Sequence, residues 1–206
     1  RFKKKITTFD LDLVEQDSLT GKGMKVESVF QNDIVVDFSQ QNNILTITPK
    51  HIFQNLTYTF TIKYSGIPKT GLIISNNKFG DRTFFGDNWP NRAQNWFPCV
   101  DHPSDKATVE YIVTAPNKYQ VIANGLKIGD TLLQNNLKQT HYKTNIPLPT
   151  KVMVIGVANF EIQDIGETHN VPVSSWVYPQ DKDAGFHDFS TAKEILDFFI
   201  ETIGRY

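Results

Sequence analysis

The sequence predicts a mostly-β fold, a β-sandwich closed by one C-terminal α-helix. Three observations predict it. Short runs of alternating apolar and polar residues, rich in β-branched and aromatic side chains, recur along most of the chain. Clusters of Asn, Asp, Gly and Pro separate them at the close spacing of sandwich strands. Near the end the period changes: Ile195, Phe199 and Ile203 fall four apart, with Leu196 and Phe198 beside them, the stripe of an amphipathic helix.

The strand patterns cover residues 6–14, 24–30, 34–38, 44–48 and 56–64, then 108–114, 119–123, 140–144, 152–162 and 171–178. Turn signals stand between them at Gln31-Asn32-Asp33, 40–43, Ser65-Gly66, Pro116-Asn117 and Asn124-Gly125. Asn124-Gly125 is the sharpest hairpin signal, because a type I′ turn needs positive φ at both central residues. Residues 75–106 break the alternation. They are too rich in Asn, Gly, Pro and Asp for regular sheet, yet carry Phe79, Phe84, Phe85, Trp89, Trp96 and Phe97. They are expected to form one long ordered loop anchored by Phe84, Phe85, Trp96 and Phe97, because ordering so long a segment needs buried contacts. In the C-terminal helix, Ser190 or Thr191 is placed to cap the first turn, with Glu194 completing a capping box. Gly204 is placed to end it.

Composition excludes several classes of partner. Lys and Arg number 21 against 22 Asp and Glu, a formal charge of −1, which gives no electrostatic case for nucleic acid or an anionic membrane. No apolar run reaches the ~18–20 residues of a membrane span. The single cysteine, Cys99, cannot form an intramolecular disulfide. The basic start, Arg1 to Lys5, leads into alternating strand rather than a signal-peptide core, and no initiating Met is present. A piece of a longer chain is the expectation.

The residues by themselves point to no catalysis. His51, His102, His141, His169 and His187 show no i, i+4 pair, and no HExxH occurs. A bound metal is not expected here, since a zinc site needs three or four convergent ligands. His187 reads as a linker residue and His102 as a turn residue. Asp101 and Asp105 read as local caps. Cys99, flanked by Trp96-Phe97-Pro98 and Val100, reads as a buried structural thiol. No GxSxG, P-loop or GxGxxG is present. Asn55-Leu56-Thr57 is a formal glycosylation sequon in a predicted turn.

The block WFPCVDHPSDKATVEYIVTAP, residues 96–116, resembles a hallmark of the N-terminal domain of gluzincin zinc aminopeptidases, the family of aminopeptidase N and the leukotriene-A hydrolases. YSGIP at 64–68 with Gly71-Leu72, YQVIANG at 119–125 and the closing run at 160–179 resemble further parts of that domain. The resemblance covers about residue 60 to 206; residues 1–59 fit by pattern alone. It implies a saddle of mixed and antiparallel sheets without a metal ligand. It also implies a division into an N-terminal β-sandwich domain, 1–180, and a linker with the first helix of a truncated catalytic domain, 181–206. The catalytic motifs HExxH and Gly-x-Met-Glu-Asn are absent from the chain, so zinc is implied for the full-length enzyme and none for this fragment, which is expected to be inactive alone. The implied partners are the catalytic domain of the same chain and a peptide substrate. Because related bacterial enzymes are often exported, the resemblance favours an extracytoplasmic setting.

The resemblance also implies a substrate contact. In the family, a Gln or Glu twelve positions before the hallmark Asp helps hold the peptide's free α-amine. Counting back from Asp101 gives Trp89, a departure from the pattern. Asp87, Asn88 and Trp89 become the candidate substrate-binding residues: Asp87 suits an ammonium, and Trp89 could stack on it. All three are expected at an exposed tip between Gly86 and Pro90. One alternative stays open: a free-standing β-sandwich binding module for carbohydrate or protein, marked by aromatic platforms on a sheet face.

Overall fold

The computed structural model describes residues 6–50 and 56–205, so His51 and Asn55 of the sequon lie outside the described residues. The first strands are β1 (Phe9–Asp12), β2 (Gly23–Gln31), β3 (Ile34–Val35), β4 (Asp37–Gln41), β5 (Ile44–Thr48) and β6 (Phe60–Ile67). Next come β7 (Leu72–Asn76), β8 (Arg82–Gly86), β9 (Lys106–Ala107), β10 (Glu110–Pro116), β11 (Gln120–Ala123) and β12 (Leu126–Leu133). The last are β13 (Leu137–Lys143), β14 (Leu148–Pro149), β15 (Ile155–Ala158), β16 (Glu161–Thr168) and β17 (Val171–Val177), before helices α1 (Lys182–Asp188) and α2 (Ala192–Ile203). The mostly-β expectation holds. Every ladder between described strands is antiparallel.

Two apolar cores divide the strands. Sheets β1-β5-β4 and β3-β2-β6 enclose Leu13, Met24, Val26, Val29, Val36, Leu45 and Ile47. Sheets β11-β15-β8-β7 and β10-β13-β12 enclose Tyr119, Val121 and Val157, with Phe84, Val113 and Ala115 packed alongside. The period-2 pattern produces this directly, since alternate residues of a strand face the same side. Strand β8 and the segment after it join the two: Phe84 of β8 packs on the second core, and Trp96 of the following segment on the first.

Four hairpins turn through pairs of left-handed residues: Asn32-Asp33, Asn42-Asn43, Asn135-Asn136 and His169-Asn170. Asn and Asp tolerate this region better than other residues with a side chain. Asn124-Gly125, in contrast, makes no hairpin. Strand β11 pairs with β15, and β12 pairs with β13. Gly125 alone of the two has positive φ, +93°. Asn124 Oδ1 instead accepts the Val154 N–H at 2.7 Å. One left-handed residue redirects the chain from one sheet to another, where two would have reversed it.

The long loop is also revised. Residues 75–106 contain the end of β7, all of β8, a 3₁₀ turn Ala93–Asn95 and the first residue of β9. Phe84 and Phe85 are therefore strand residues. They face opposite sides of the sheet, meeting Tyr119 and Phe160 respectively, in edge-on contacts. At the C-terminus the expected helix is present and ends before Gly204, and the shorter α1 precedes it, carrying His187. Neither Ser190 nor Thr191 caps α2 with its side chain. The turn leaving α1 supplies the acceptor instead: Ala192 N–H bonds Phe189 O at 3.1 Å. Of α2's apolar stripe only Ile200 is buried, while Ile195, Phe198, Phe199 and Ile203 are exposed. No helix among the described residues is long and apolar enough to cross a membrane.

Candidate functional site

Strand β8 ends at Gly86, and the chain leaves the sheet there. Asp87 N–H donates to Gly71 O at 2.6 Å. Gly71 has φ +79°, and a Cβ there would sit 2.2 Å from Arg92 O, so the approach needs glycine. Asn88 turns inward and is 1% exposed. Its Nδ2 donates to Thr150 O at 2.9 Å and Met153 O at 2.6 Å, and its Oδ1 accepts Trp96 Nε1–H at 2.8 Å. One amide thus satisfies two carbonyls and an indole, which would otherwise each cost a desolvated polar group. Trp96, half-buried, meets Phe97 edge-on at 4.7 Å. Trp89 comes next, joined to Pro90 by a cis peptide bond, and points out, 61% exposed.

Charge surrounds the tip. Arg92 Nη1 lies 2.6 Å from Asp87 Oδ2, and Arg92 N–H donates to Asn88 O at 2.9 Å. Lys151 Nζ stands 4.6 Å from the Trp89 ring centroid, a cation–π contact. Beside the tip an open groove of about 340 Å³ runs over Phe85, Gly86, Ile122, Val154 and Gly156.

The sequence placed Asp87, Asn88 and Trp89 together at an exposed tip. The structure keeps Trp89 there, leaves Asp87 half-buried on Arg92, and buries Asn88. The correction has a physical cause: three buried polar partners converge where only a compact amide can answer all of them. Nothing in the Gly-Asp-Asn-Trp-Pro run separates such an asparagine from a turn residue. Asp101 was also misread as a local cap. Its Oδ1 accepts Thr150 Oγ1–H at 2.8 Å and its Oδ2 accepts Gln94 N–H at 3.3 Å. Its own N–H donates to Asp12 Oδ2 at 2.8 Å. Thr150 and Asp101 thereby join the carbonyls that hold Asn88 to the hallmark segment, a link that no spacing reveals.

Of the remaining candidates, Cys99 and His102 behave as the sequence suggested, whereas His187 lies in helix α1 rather than in a linker. Cys99 is buried and bridges backbone to Asp12. Burial first, then the carboxylates of Asp101, Asp12 and Asp105, push its thiol far up, away from nucleophilic use. His102 closes a turn on Ser104 at 2.7 Å. Among the described residues no three His, Cys, Asp or Glu side chains gather as a metal site.

Residues 8–152 match the peptidase M1 N-terminal domain. The chain belongs to that family. Rat glutamyl aminopeptidase is 26% identical over 113 residues, 55% of this chain and 12% of that protein. The M1 zinc metallopeptidase of Deinococcus radiodurans shares the fold at a TM-score of 0.65 and 24% identity, over 77% of this chain and 36% of its own. Native leukotriene A4 hydrolase from Saccharomyces cerevisiae superposes at 0.76 and 18% identity, over 100% of this chain and 31% of its own. This M1 N-terminal domain spans 12% of that curated relative's length and about a third of the length of those solved structures.

Proposed function

We propose that this M1 domain is the N-terminal β domain of a zinc-dependent aminopeptidase that removes residues from peptide N-termini. In this reading residues 1–180 are the β domain, and 181–206 link it to a catalytic domain in the same chain. The described residues do not fit a zinc site, so metal and general base come from that other domain. The role read here for the domain is to present the tip to the peptide's first residue.

The observation that carries the reading is the contrast at the tip: Asn88 is 1% exposed and Trp89 61%. A fully bonded amide fixes the backbone, and the next side chain stands out in solvent, an arrangement that costs little ordering when a ligand arrives. Trp89 offers an indole face to an ammonium or a first side chain. Asp87 offers a carboxylate, already steadied by Arg92. Asn88 serves as a positioning residue. The alternative binding-module reading looks for aromatic platforms on a sheet face. Among the described residues the most exposed aromatics, Trp89, Phe189, Phe198 and Phe199, lie on the tip and around the helices instead.

The test is steady-state kinetics of the full-length protein on aminoacyl substrates. Trp89→Ala should lower kcat/KM by about 2- to 30-fold, the range of one cation–π contact. Asp87→Ala should act in the same direction, and both should leave the unfolding midpoint nearly unchanged. Unchanged kinetics in both variants would sink the reading.

A further inference from the structure

We propose that Lys151 is a specificity-determining residue of the tip, favouring peptides with a carboxylate in their first two residues. The proposal rests on the reading of the tip given above. Its basis is the charge and rigidity of the surface around Trp89.

Asp87 and Arg92 are 2.6 Å apart and cancel. Lys151 forms no ion pair among the described residues. Of the three charged side chains Asp87, Arg92 and Lys151, Lys151 is thus the one without an ion pair among the described residues, and its ammonium lies over the Trp89 ring. An incoming peptide brings an α-ammonium to this place, which Lys151 repels. A nearby carboxylate on the peptide reverses the sign of that interaction, whereas its amide isostere does not.

The position of this charge is built. Lys151 sits in a 3₁₀ turn, Thr150–Val152. Thr150 is buried, and its Oγ1–H donates to Asp101 Oδ1 at 2.8 Å. The carbonyls of Thr150 and Met153, on either side of Lys151, both accept from Asn88 Nδ2. The residue before Trp89 thus grips the turn that carries Lys151, and the backbones bearing the indole and the ammonium are tied together. A lysine on a free loop would spread its charge over many positions and discriminate little.

The experiment measures kcat/KM of the full-length enzyme on matched pairs, Glu against Gln, at the first and at the second peptide position. Lys151→Gln should lower the Glu:Gln ratio by about 3- to 10-fold at one of these positions, the scale of one half-exposed charge. Lys151→Arg should retain the ratio. In the unaltered enzyme the ratio should fall as salt rises, because the interaction is Coulombic and part-exposed. An unchanged ratio in Lys151→Gln overturns the proposal. Trp89→Ala separates the two failures. If it lowers kcat/KM on every substrate while Lys151→Gln leaves the ratio unchanged, the tip reading stands and only the role of Lys151 falls. If both Trp89→Ala and Asp87→Ala change nothing on any substrate, the tip reading falls and takes this proposal with it.

Discussion

The segment 86–101 and the ribbon of β12 and β13 are opposite solutions to ordering a chain. The ribbon is regular: Leu126–Leu133 runs antiparallel to Leu137–Lys143 over nearly its whole length. Yet every residue of β12 is exposed, Leu126 and Leu132 included. The segment 86–101 has only three residues in a regular turn, Ala93–Asn95, after β8 ends. It is nevertheless tied down at Asn88, Cys99 and Asp101 by bonds that reach residues far away in sequence. Regular hydrogen bonding gives the ribbon its shape, and buried polar satisfaction gives the tip its position. Only the second ties the backbone beside one exposed side chain to distant parts of the chain.

Mutations can break or sharpen this contrast. The largest effect should follow Trp96→Ala, which removes packing on the first core and Asn88's donor: about 3–5 kcal/mol in urea unfolding. Asn88→Leu keeps approximate size but strands the Thr150 and Met153 carbonyls and the Trp96 N–H. It should cost about 2–4 kcal/mol, and a neutral result would show that the tip is held by packing alone. In the ribbon, Asp130 accepts from Thr140 Oγ1–H and Lys127 Nζ, each at 2.7 Å. Burial would raise its pKa, but the bonds from Lys127 and Thr140 outweigh burial and hold it below the ordinary value. A carboxylate depressed in the folded state stabilises above its unfolded pKa, about 3.9, and loses that contribution as pH falls through the folded value. Asp130→Asn should therefore cost about 0.5 kcal/mol at pH 7 and nothing near pH 2, read from urea midpoints at both. Smallest of all should be Leu132→Thr, within about 0.5 kcal/mol, because an exposed side chain loses little.

Much of the fold was legible because burial and period agree along it. The run 24–30 became β2, Gly23–Gln31, with Val26 and Val29 in the core. The stripe Ile195, Phe199, Ile203 became α2, although that stripe turned out exposed. Strand β8 was illegible because Asn76, Asn77, Gly80 and Asp81 crowd its entrance and Gly86 its exit, so composition outvoted the alternation within. Helix α1 was hidden by its polar residues and Gly185, having only Phe186 as a large apolar side chain. The hairpin assignment at Asn124-Gly125 failed because turn chemistry reports a local bend and cannot say which sheet receives the next strand. At the candidate site, Trp89 and Asp87 were named by counting back from Asp101, whereas the burial of Asn88 and the reach of Asp101 to Thr150 depend on partners dozens of residues away.

The paired left-handed turns bear on the order in which the molecule assembles. Each closes a hairpin over a few residues, as in Thr168 opposite Val171 or Gln41 opposite Ile44, so those pairings cost little loop entropy. The contacts that seat the tip are of the other kind. Asn88 must meet Thr150 and Met153, and Phe85 must meet Gly156, across sixty or more positions. In pulse-labelled amide exchange during refolding, the hairpin amides should gain protection first and the Asp87 and Arg92 amides late. The surface offered to a partner would then be the last to form, and a chain that displays it has already closed both of its cores.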